Sequence, residues 1–430
     1  MQTETIYDIA GIGIGPFNLG LAALCQPIPG LSTIFLDQKP AFNWHEGMMI
    51  PGTTLQVSYL ADLVTLADPS SKFSYLNYLR SNNRLLQFGI YEKNYIARSE
   101  YNRYCKWVCE QLDNLLFGVG VGSIFFDAAS DCFEIFSKSA CGATMPIIKA
   151  RHIVVGIGSR PYIPAMIRPL LDERVIHSFD YMYYRNIITA SEKVAVIGSG
   201  QSAAEIVYDQ LSCRHPEQGS LTWVTRSDRF YAMEHSKLNY EMTSPDYISF
   251  FYGLDPRVKE ALLNGQFPLY KGINHQLIDA IYDKLYQLDM EGQNLQVVIR
   301  THSELKDISK TPGGQYSLLF NHIALKKNFG IESDFVILAT GYKYELPGFL
   351  KPVKDLIQWD DKGRYKVGRN YSIDLGNRIF VQNTEMHTHG FNAPDLGLGA
   401  YRNAVILNNI LSKKYYPVDE DTCFQFFGIP

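Results

Sequence analysis

The chain has 430 residues, of which 46% are hydrophobic and 20% are charged, and its formal net charge is −4. This length allows two or three domains with filled cores, and this composition excludes an intrinsically disordered chain. A weakly acidic protein without Lys/Arg blocks lacks the charge pattern of a nucleic-acid binder, and no apolar run is long enough for a membrane span.

The amino-terminal segment predicts a strand, a turn, a helix and a second strand. Ile6 to Gly11 is a short apolar run that ends in glycines, Leu19 to Leu24 has helical character, and Ser32 to Leu36 favours a strand. The residues before the first strand carry Glu4 and lack the features of a secretory signal. We therefore expect a cytoplasmic protein.

The glycines of this first unit have the spacing of a dinucleotide-binding turn. They form Gly13-x-Gly15-x-x-Asn18, and Pro16 fixes the backbone at the start of the helix. Such glycines allow a pyrophosphate to approach the helix N-terminus, where unpaired N–H groups favour negative charge. Asp37 ends the following strand, where a carboxylate accepts a hydrogen bond from a ribose hydroxyl. The structural alternative is a tight turn with a solvated Asp37.

A second unit of the same kind follows in mid-chain. Lys193 to Ile197 and Leu221 to Thr225 are strand-like, and Ala203 to Leu211 between them is helical. The turn that precedes this helix supplies four candidate cofactor-binding residues, Gly198, Gly200, Gln201 and Ser202.

The end of this second unit favours NADPH over NADH. Arg226 and Arg229 stand where an NAD site places its carboxylate, and arginine accommodates a 2′-phosphate. Asp228 between them weakens the argument, and the alternative is that both arginines are simply solvated.

These patterns predict an α/β protein with two Rossmann-like dinucleotide-binding domains and a small helical substrate-binding insertion. Further strands are expected at 295–300, 316–320 and 334–338, and the tail from Ile379 should close the first sheet. We expect a discontinuous FAD-binding domain at 1–165 and 335–430, an NADPH-binding domain at 166–233 and 292–334, and a helical substrate-binding segment at 234–291.

Two dinucleotide units in one chain suggest FAD at the first site and a nicotinamide that delivers hydride to it at the second. Disulfide reductases share this architecture, but they need a paired cysteine motif, and the seven scattered cysteines contain none. Molecular oxygen is then the expected co-substrate. A flavin reductase or electron carrier that does not hydroxylate anything is the alternative from another class.

The sequence resembles a known family over nearly its whole length, the siderophore-associated N-hydroxylating flavin monooxygenases of L-lysine, L-ornithine and related amines. The resemblance is carried by the order and spacing of several motifs: Gly13 to Leu19, Trp44-His45-x-Gly47-Met48, Gln56 to Leu63, Gly198 to Glu205, Tyr270 to Ile273, Ala339 to Tyr342 and His387-x-His389-Gly390.

What the resemblance implies is a cycle in which NADPH reduces FAD and a neutral amine takes up activated oxygen in a dry site. It implies that Trp44, His45 and Arg98 lie beside the flavin and that Gln56 lies near its reactive edge. We therefore expect catalytic roles for His45, Gln56 and Arg98 and cofactor contacts for Trp44, Thr340, Gly341 and Leu398. The structural alternatives are a core Trp44, a loop His45, a solvated Gln56 and an Arg98 that only begins a helix.

Ala61 indicates which amine is used. The amino-acid hydroxylases of this family carry at this position a lysine that meets the α-carboxylate of the substrate, and an unpaired buried carboxylate is strongly disfavoured. We therefore expect a diamine, putrescine or cadaverine, or else histamine, in hydroxamate siderophore biosynthesis. The alternative is lysine or ornithine, with Lys237 or Lys271 replacing the missing cation.

The helical segment supplies the remaining substrate candidates. We expect Asn239, Tyr240, Glu241 and Asn274 to contact the amine, with Glu241 as a partner for the distal ammonium; the alternative is a surface Glu241. No residues have metal-ligand spacing, and His387 and His389 are expected to be structural. We also expect a homo-oligomer, a dimer or a tetramer.

Overall fold

The computed structural model describes residues 5–138, 147–214, 219–234, 236–292, 295–418 and 421–429. The strands are β1 Ile6–Ile12, β2 Thr33–Asp37, β3 Leu115–Phe117, β4 Val121–Asp127, β5 Cys132–Ser137, β6 Ile148–Val155, β7 Arg160–Pro161, β8 Val175–His177, β9 Lys193–Ile197, β10 Ser220–Val224, β11 Gln296–Arg300, β12 Ser303–Lys310, β13 Tyr316–His322, β14 Lys327–Ser333, β15 Phe335–Leu338, β16 Tyr342–Lys343 and β17 Ile379–Val381. The helices are α1 Pro16–Cys25, α2 Tyr75–Ser81, α3 Leu85–Tyr91, α4 Arg98–Cys109, α5 Tyr181–Ala190, α6 Gln201–Cys213, α7 Lys237–Tyr240, α8 Pro245–Gly253, α9 Pro256–Gly265, α10 Phe267–Lys271, α11 His275–Met290, α12 Met386–His389 and α13 Gly399–Ile410.

The first sheet has seven strands in the order β3-β2-β1-β6-β5-β4, and β17 pairs with the end of β6. β1, β2, β3, β6 and β17 run parallel. Their residues are apolar because both faces of the sheet are covered, one of them by α1, α4 and α13. The predicted strand-turn-helix-strand unit and the closure of the sheet from Ile379 are confirmed.

The second sheet has five parallel strands in the order β11-β10-β9-β15-β8. β15 lies between β9 and β8, so the domain boundary predicted at 334/335 lies one strand too early. An apolar four-residue strand fits either sheet, and only its hydrogen-bonded neighbours decide the assignment. The antiparallel sheet β12-β13-β14 packs beside this domain through Ile308, Leu318 and Phe320.

The segment between β10 and β11 is helical, as predicted. However, α11 packs against α6 and contributes Ile281 and Leu288 to the same core as β9. It is therefore the crossover helix that connects two neighbouring parallel strands, and not a part of the insertion. The insertion proper consists of α7 to α10.

Within the described residues, no helix is long and apolar enough to cross a membrane, and the six described cysteines are free.

Candidate active site

The first glycine turn connects β1 to α1. Gly13 has a φ of +88°, and a Cβ at this position would lie 2.6 Å from the carbonyl oxygen of Gly156, so only glycine fits. Gly15 is different, because no atom lies within 4 Å of the place where its Cβ would be. Gly15 caps α1, and Pro16 is the first helical residue. The space in front of the helix N-terminus is therefore open, as a bound pyrophosphate requires.

Asp37 lies directly at this turn. Its Oδ2 accepts from the N–H of Ile14 at 2.7 Å, and its Oδ1 accepts from the N–H of Lys39 at 2.8 Å. A correction concerns Asn18, which was predicted to contact the cofactor. Its amide is completely buried, donates to the carbonyl of Gly13 at 2.8 Å and accepts from Gln382 at 2.7 Å. Asn18 therefore holds the turn in shape instead of reaching a ligand.

The second turn repeats this arrangement between β9 and α6. A Cβ on Gly198 would lie 2.2 Å from the carbonyl oxygen of Ala339, and the φ of Gly198 is +141°. Gly200 caps α6, and the nearest atom to its Cβ position is the carbonyl oxygen of Lys271 at 3.8 Å. Gln201 and Ser202 form the first turn of α6 and line the cavity described below. This turn also leaves room for a phosphate.

Three cations lie near the second turn. Arg226 and Arg229 follow β10 and are exposed, and the Arg229 guanidinium stacks on Tyr231 at 4.7 Å. Partial burial and the charge of Arg226 lower the pKa of Lys271. Lys271 therefore belongs to this positive region, and it is not among the residues that line the cavity.

One cavity of about 310 Å³ lies where the two dinucleotide units and the helical insertion meet. Much of its wall is apolar or aromatic, which suits a site that must exclude water. The predicted residues that line it are Trp44, His45, Gln56, Arg98, Gln201, Ser202, Asn239 and Tyr240.

Trp44 and His45 form one wall of the cavity. His45 has left-handed backbone geometry with a φ of +51°, and its ring lies edge-on to Trp44 at 4.5 Å. Desolvation by the surrounding residues, together with the charges of Arg98 and Lys39, lowers the pKa of His45 to about 4, although its side chain stays accessible from the cavity. The imidazole is therefore neutral near pH 7.

Gln56 and Tyr240 also line the cavity. The Nε2 of Gln56 is buried and has no hydrogen-bond partner among the described residues, so it leaves a donor for a bound molecule. The Tyr240 hydroxyl contacts the Tyr95 hydroxyl at 3.0 Å and the carbonyl of Gln56 at 3.5 Å. These contacts fix the insertion to the first domain beside the cavity.

Arg98 begins α4, as predicted, but its charge is paired. Its guanidinium donates two hydrogen bonds to Glu205 of α6, at 3.0 Å and 2.8 Å, and a third to the carbonyl of Met48 at 2.8 Å. The only Lys or Arg among the described lining residues is thus already neutralised.

Thr340, Gly341 and Leu398 are placed differently from one another. The Thr340 hydroxyl donates to the carbonyl of Tyr162, and the carbonyl of Gly341 contacts Nε2 of His177 at 3.1 Å. Leu398 is buried in a small apolar cluster. Its side chain is therefore part of the core, and its contact with the cofactor stays a prediction.

Glu241 and Asn274, two further predicted substrate contacts, lie outside the lining residues of this cavity. The Glu241 carboxylate accepts from the backbone N–H groups of Phe424 and Gln425, both at 3.0 Å, and does not line the cavity. Asn274 caps α11 by accepting from the N–H of Gln276 at 2.9 Å. Asn274 thus satisfies a local backbone group, whereas Glu241 binds a distant segment of the chain.

The sequence interpretation missed Asp395, a partly buried carboxylate in the cavity wall. Its Oδ1 accepts from the N–H of Gly397 at 2.6 Å. A Cβ built on Gly397 would lie 2.9 Å from this Oδ1 and 3.7 Å from the Cβ of Ala61, so Asp395 and Ala61 are both neighbours of Gly397. Ala61 itself is buried and is not among the residues that line the cavity. Asp395 and Ala61 are far apart in the sequence, so no local sequence pattern predicts that they come close together.

The described residues contain no group of three or more His, Cys, Asp or Glu side chains that could hold a metal ion. His387 contacts the carbonyl of Tyr365, and His389 stacks on Tyr371.

Two dinucleotide folds that share one cavity define a two-nucleotide oxidoreductase. Residues 5–344 match the family L-lysine 6-monooxygenase/L-ornithine 5-monooxygenase, and the chain belongs to this family of N-hydroxylating monooxygenases. This membership confirms the predicted family and class of enzyme.

Three relatives cover nearly all of the chain. It is 44% identical to a putrescine N-hydroxylase from Shewanella oneidensis over 99% of this chain and 85% of the relative. It is 42% identical to a putrescine N-hydroxylase from Acinetobacter baumannii over 100% of this chain and 95% of the relative. The FAD-bound crystal structure of the cadaverine monooxygenase of desferrioxamine biosynthesis from Erwinia amylovora superimposes with a TM-score of 0.94, 43% identity and 99% coverage of both chains. This similarity confirms the predicted fold class.

Proposed function

We propose that this enzyme uses FAD, NADPH and O₂ to hydroxylate one nitrogen of an aliphatic diamine, putrescine or cadaverine, in hydroxamate siderophore biosynthesis. The relatives named for these two diamines support the substrate class. The observation that carries the proposal is the absence of a free cation among the described residues of the cavity wall, where the one arginine, Arg98, is paired with Glu205. An α-carboxylate would enter this site without a partner.

The residues present fit both cofactors. The open turn at Gly15 with Asp37 would hold FAD, the unpaired donor of Gln56 remains for a bound group, and Trp44 and His45 would line its side of the cavity. The open turn at Gly200, with the cations Arg226, Arg229 and Lys271 nearby, would hold NADPH. When bound, FAD would accept hydride from NADPH and activate oxygen for transfer to the amine.

The chain itself must exclude water and keep the reacting nitrogen neutral, because an ammonium has no free electron pair. The walls from Leu55, Val57 and Phe391 limit water in the cavity. His45, with its pKa lowered to about 4, and Gln56 add no charge near pH 7. A neutral amine is therefore bound at this wall in preference to an ammonium.

The test measures NADPH oxidation with putrescine, cadaverine, histamine, ornithine and lysine, and quantifies hydroxylamine product in each reaction. We expect coupled product with a diamine and little product with either amino acid. NADPH oxidation without hydroxylamine for any amine would favour a flavin reductase, and better product formation with lysine or ornithine would overturn the choice of diamine.

Cytoplasmic location and assembly into a homo-oligomer stay predictions, which cell fractionation and sedimentation velocity would check.

A further inference from the structure

Asp395 has one carboxylate oxygen available to a ligand. Its Oδ1 caps the short helical turn 396–398 through the N–H of Gly397, while its Oδ2 forms no hydrogen bond with the described residues. A cap alone needs one oxygen, and most capping carboxylates face solvent. Here the side chain lines the cavity, and burial raises the pKa of Asp395 despite the nearby positive charge of Arg402. A cationic ligand at Oδ2 would remove the cost of burying this charge.

The loop that carries Asp395 is held in place from both sides. The buried Arg402 donates to the carbonyl of Ala393 at 2.7 Å, and Arg402 lies 3.0 Å from the fully buried Glu385. Asn392 donates to the carbonyl of Met242 at 2.9 Å. The carboxylate is therefore presented by a fixed backbone, as a selective site requires.

The other carboxylates near the cavity are less suited to a buried cation. Glu234 lines the cavity but is exposed, so water screens its charge. Glu205 is bound to Arg98, and Glu241 is bound to the backbone of 424–425. Asp395 thus combines a free oxygen with a position in the wall.

We propose that Asp395 binds the second, non-reacting ammonium of the diamine, and that the small Ala61 near it adds no competing cation. This inference rests on the proposed function, and it adds the residue that makes the site selective for diamines over monoamines. The substrate then carries its charge on the nitrogen at Asp395 and is neutral at its reacting nitrogen. A symmetrical diamine is thereby bound with its two chemically equal nitrogens in different protonation states.

The test compares Asp395→Asn with the unmodified enzyme on two substrates of equal chain length, cadaverine and n-pentylamine. Coupled kcat/KM for cadaverine should fall by about 10- to 100-fold, mainly through KM, because a charge-assisted contact is lost. The value for n-pentylamine should change by less than about threefold, since that amine has no second ammonium. A merely structural role would lower both values together.

Glu234→Gln is the matched control, because it removes the same charge at an exposed position of the same cavity. Its ratio of cadaverine to n-pentylamine activity should equal that of the unmodified enzyme. The proposal is overturned if Asp395→Asn keeps the ratio, or if Glu234→Gln is the variant that abolishes it.

Flavin content and thermal unfolding of each variant establish that it is folded. Should Asp395→Asn not fold, Ala61→Lys leaves Asp395 itself unchanged and adds an ammonium near it, so it must lower the same ratio, and an unchanged ratio overturns the proposal. If the unmodified enzyme prefers lysine or ornithine to cadaverine, the proposed function itself is wrong. Failure of the proposed function is thereby distinguished from failure of the Asp395 proposal.

Discussion

Arg98 of α4 and Glu205 of α6 form a two-bond ion pair that joins the two dinucleotide-binding domains at the cavity. The distances are 3.0 Å and 2.8 Å, and the side chains are 14% and 3% exposed. Gln201 also donates to Glu205 at 3.0 Å. The ion pair therefore links α4 to the helix that begins the NADPH site, and it neutralises the charge of Arg98.

The first prediction is that Glu205→Gln destabilises the protein by about 3 kcal/mol, because it leaves the Arg98 charge buried without its partner. Chemical unfolding monitors the loss. The double variant Arg98→Met/Glu205→Gln should regain part of it, and a purely additive cycle would argue against the coupling. Glu260→Gln is the control, since its pair with Lys362 is exposed on both sides and should change the stability little.

The second prediction concerns Gly15. Because no atom lies within 4 Å of its Cβ position, Gly15→Val should fold normally but place a side chain where the FAD pyrophosphate approaches. The protein should purify with little yellow colour and keep its secondary structure by circular dichroism. Gly89→Ala, which also has open space around its Cβ position, should keep its flavin. Full flavin retention in Gly15→Val would place FAD elsewhere.

The two glycine turns were readable from the sequence because their requirements are local. Gly13 and Gly198 need positive φ and close backbone approach, and both needs leave a fixed spacing of glycines after a strand. The strand β15 shows where this reasoning stops. Its apolar residues indicate that it is buried. Its partners β8 and β9 come from earlier parts of the chain, so the sequence alone does not show to which sheet, and hence to which domain, β15 belongs.

The substrate side of the cavity was predicted less well for the same reason. Glu241 is charged and lies beside two lining residues, yet the backbone near the end of the chain takes up its carboxylate. Asp395 follows a proline in an ordinary loop, and only the folded chain brings it near Ala61. Asn274 caps the N-terminus of α11, which is a local role that an asparagine at the start of a helix already indicates.

The third prediction is that Arg226→Ala raises the KM for NADPH more than that for NADH, by about tenfold or more, because a 2′-phosphate loses a charged partner. Lys271→Ala should act in the same direction, since its lowered pKa reflects the neighbouring Arg226. Arg229→Ala should have a smaller effect, because Arg229 already stacks on Tyr231. Equal efficiency of NADPH and NADH in the unmodified enzyme would refute the assignment.

The fourth prediction concerns His177. Burial lowers the pKa of this histidine to about 4, although its contact with the Gly341 carbonyl acts to raise the pKa. A lowered histidine pKa stabilises the fold above pH 6.5, and this contribution is lost as pH falls towards 4. Between pH 7.5 and 5 the loss is about 2 kcal/mol by proton linkage.

His177→Gln keeps one donor and one acceptor but does not titrate. Its free energy of unfolding in urea should therefore fall by about 2 kcal/mol less than that of the unmodified protein between pH 7.5 and 5. Parallel pH dependence of the two proteins would show that His177 does not carry the acid sensitivity. His302→Gln is a control for the replacement of a histidine elsewhere in the chain. His302 stacks on His322 beside the antiparallel sheet β12-β13-β14, and neither residue lines the cavity.

The fifth prediction is that Ala61→Lys shifts selectivity from diamines towards lysine and ornithine. The new ammonium would attract an α-carboxylate and repel the second ammonium of a diamine, and both effects are strengthened in a site of low dielectric. A change of roughly tenfold or more in the ratio of coupled kcat/KM values is expected from charge-assisted contacts.

Asp395 gives this prediction a second, sharper form. Because Asp395 lies near residue 61, it should pair with the new lysine and reduce its attraction for a carboxylate. The double variant Ala61→Lys/Asp395→Asn should therefore favour the amino acids more than Ala61→Lys alone, and the excess measures the coupling between the two positions. Steady-state assays of hydroxylamine product on cadaverine and lysine give all four values of the cycle. If the two substitutions act independently on the ratio, residue 61 and Asp395 do not share one charged subsite, and the carboxylate must be accounted for by its capping contact with Gly397 alone.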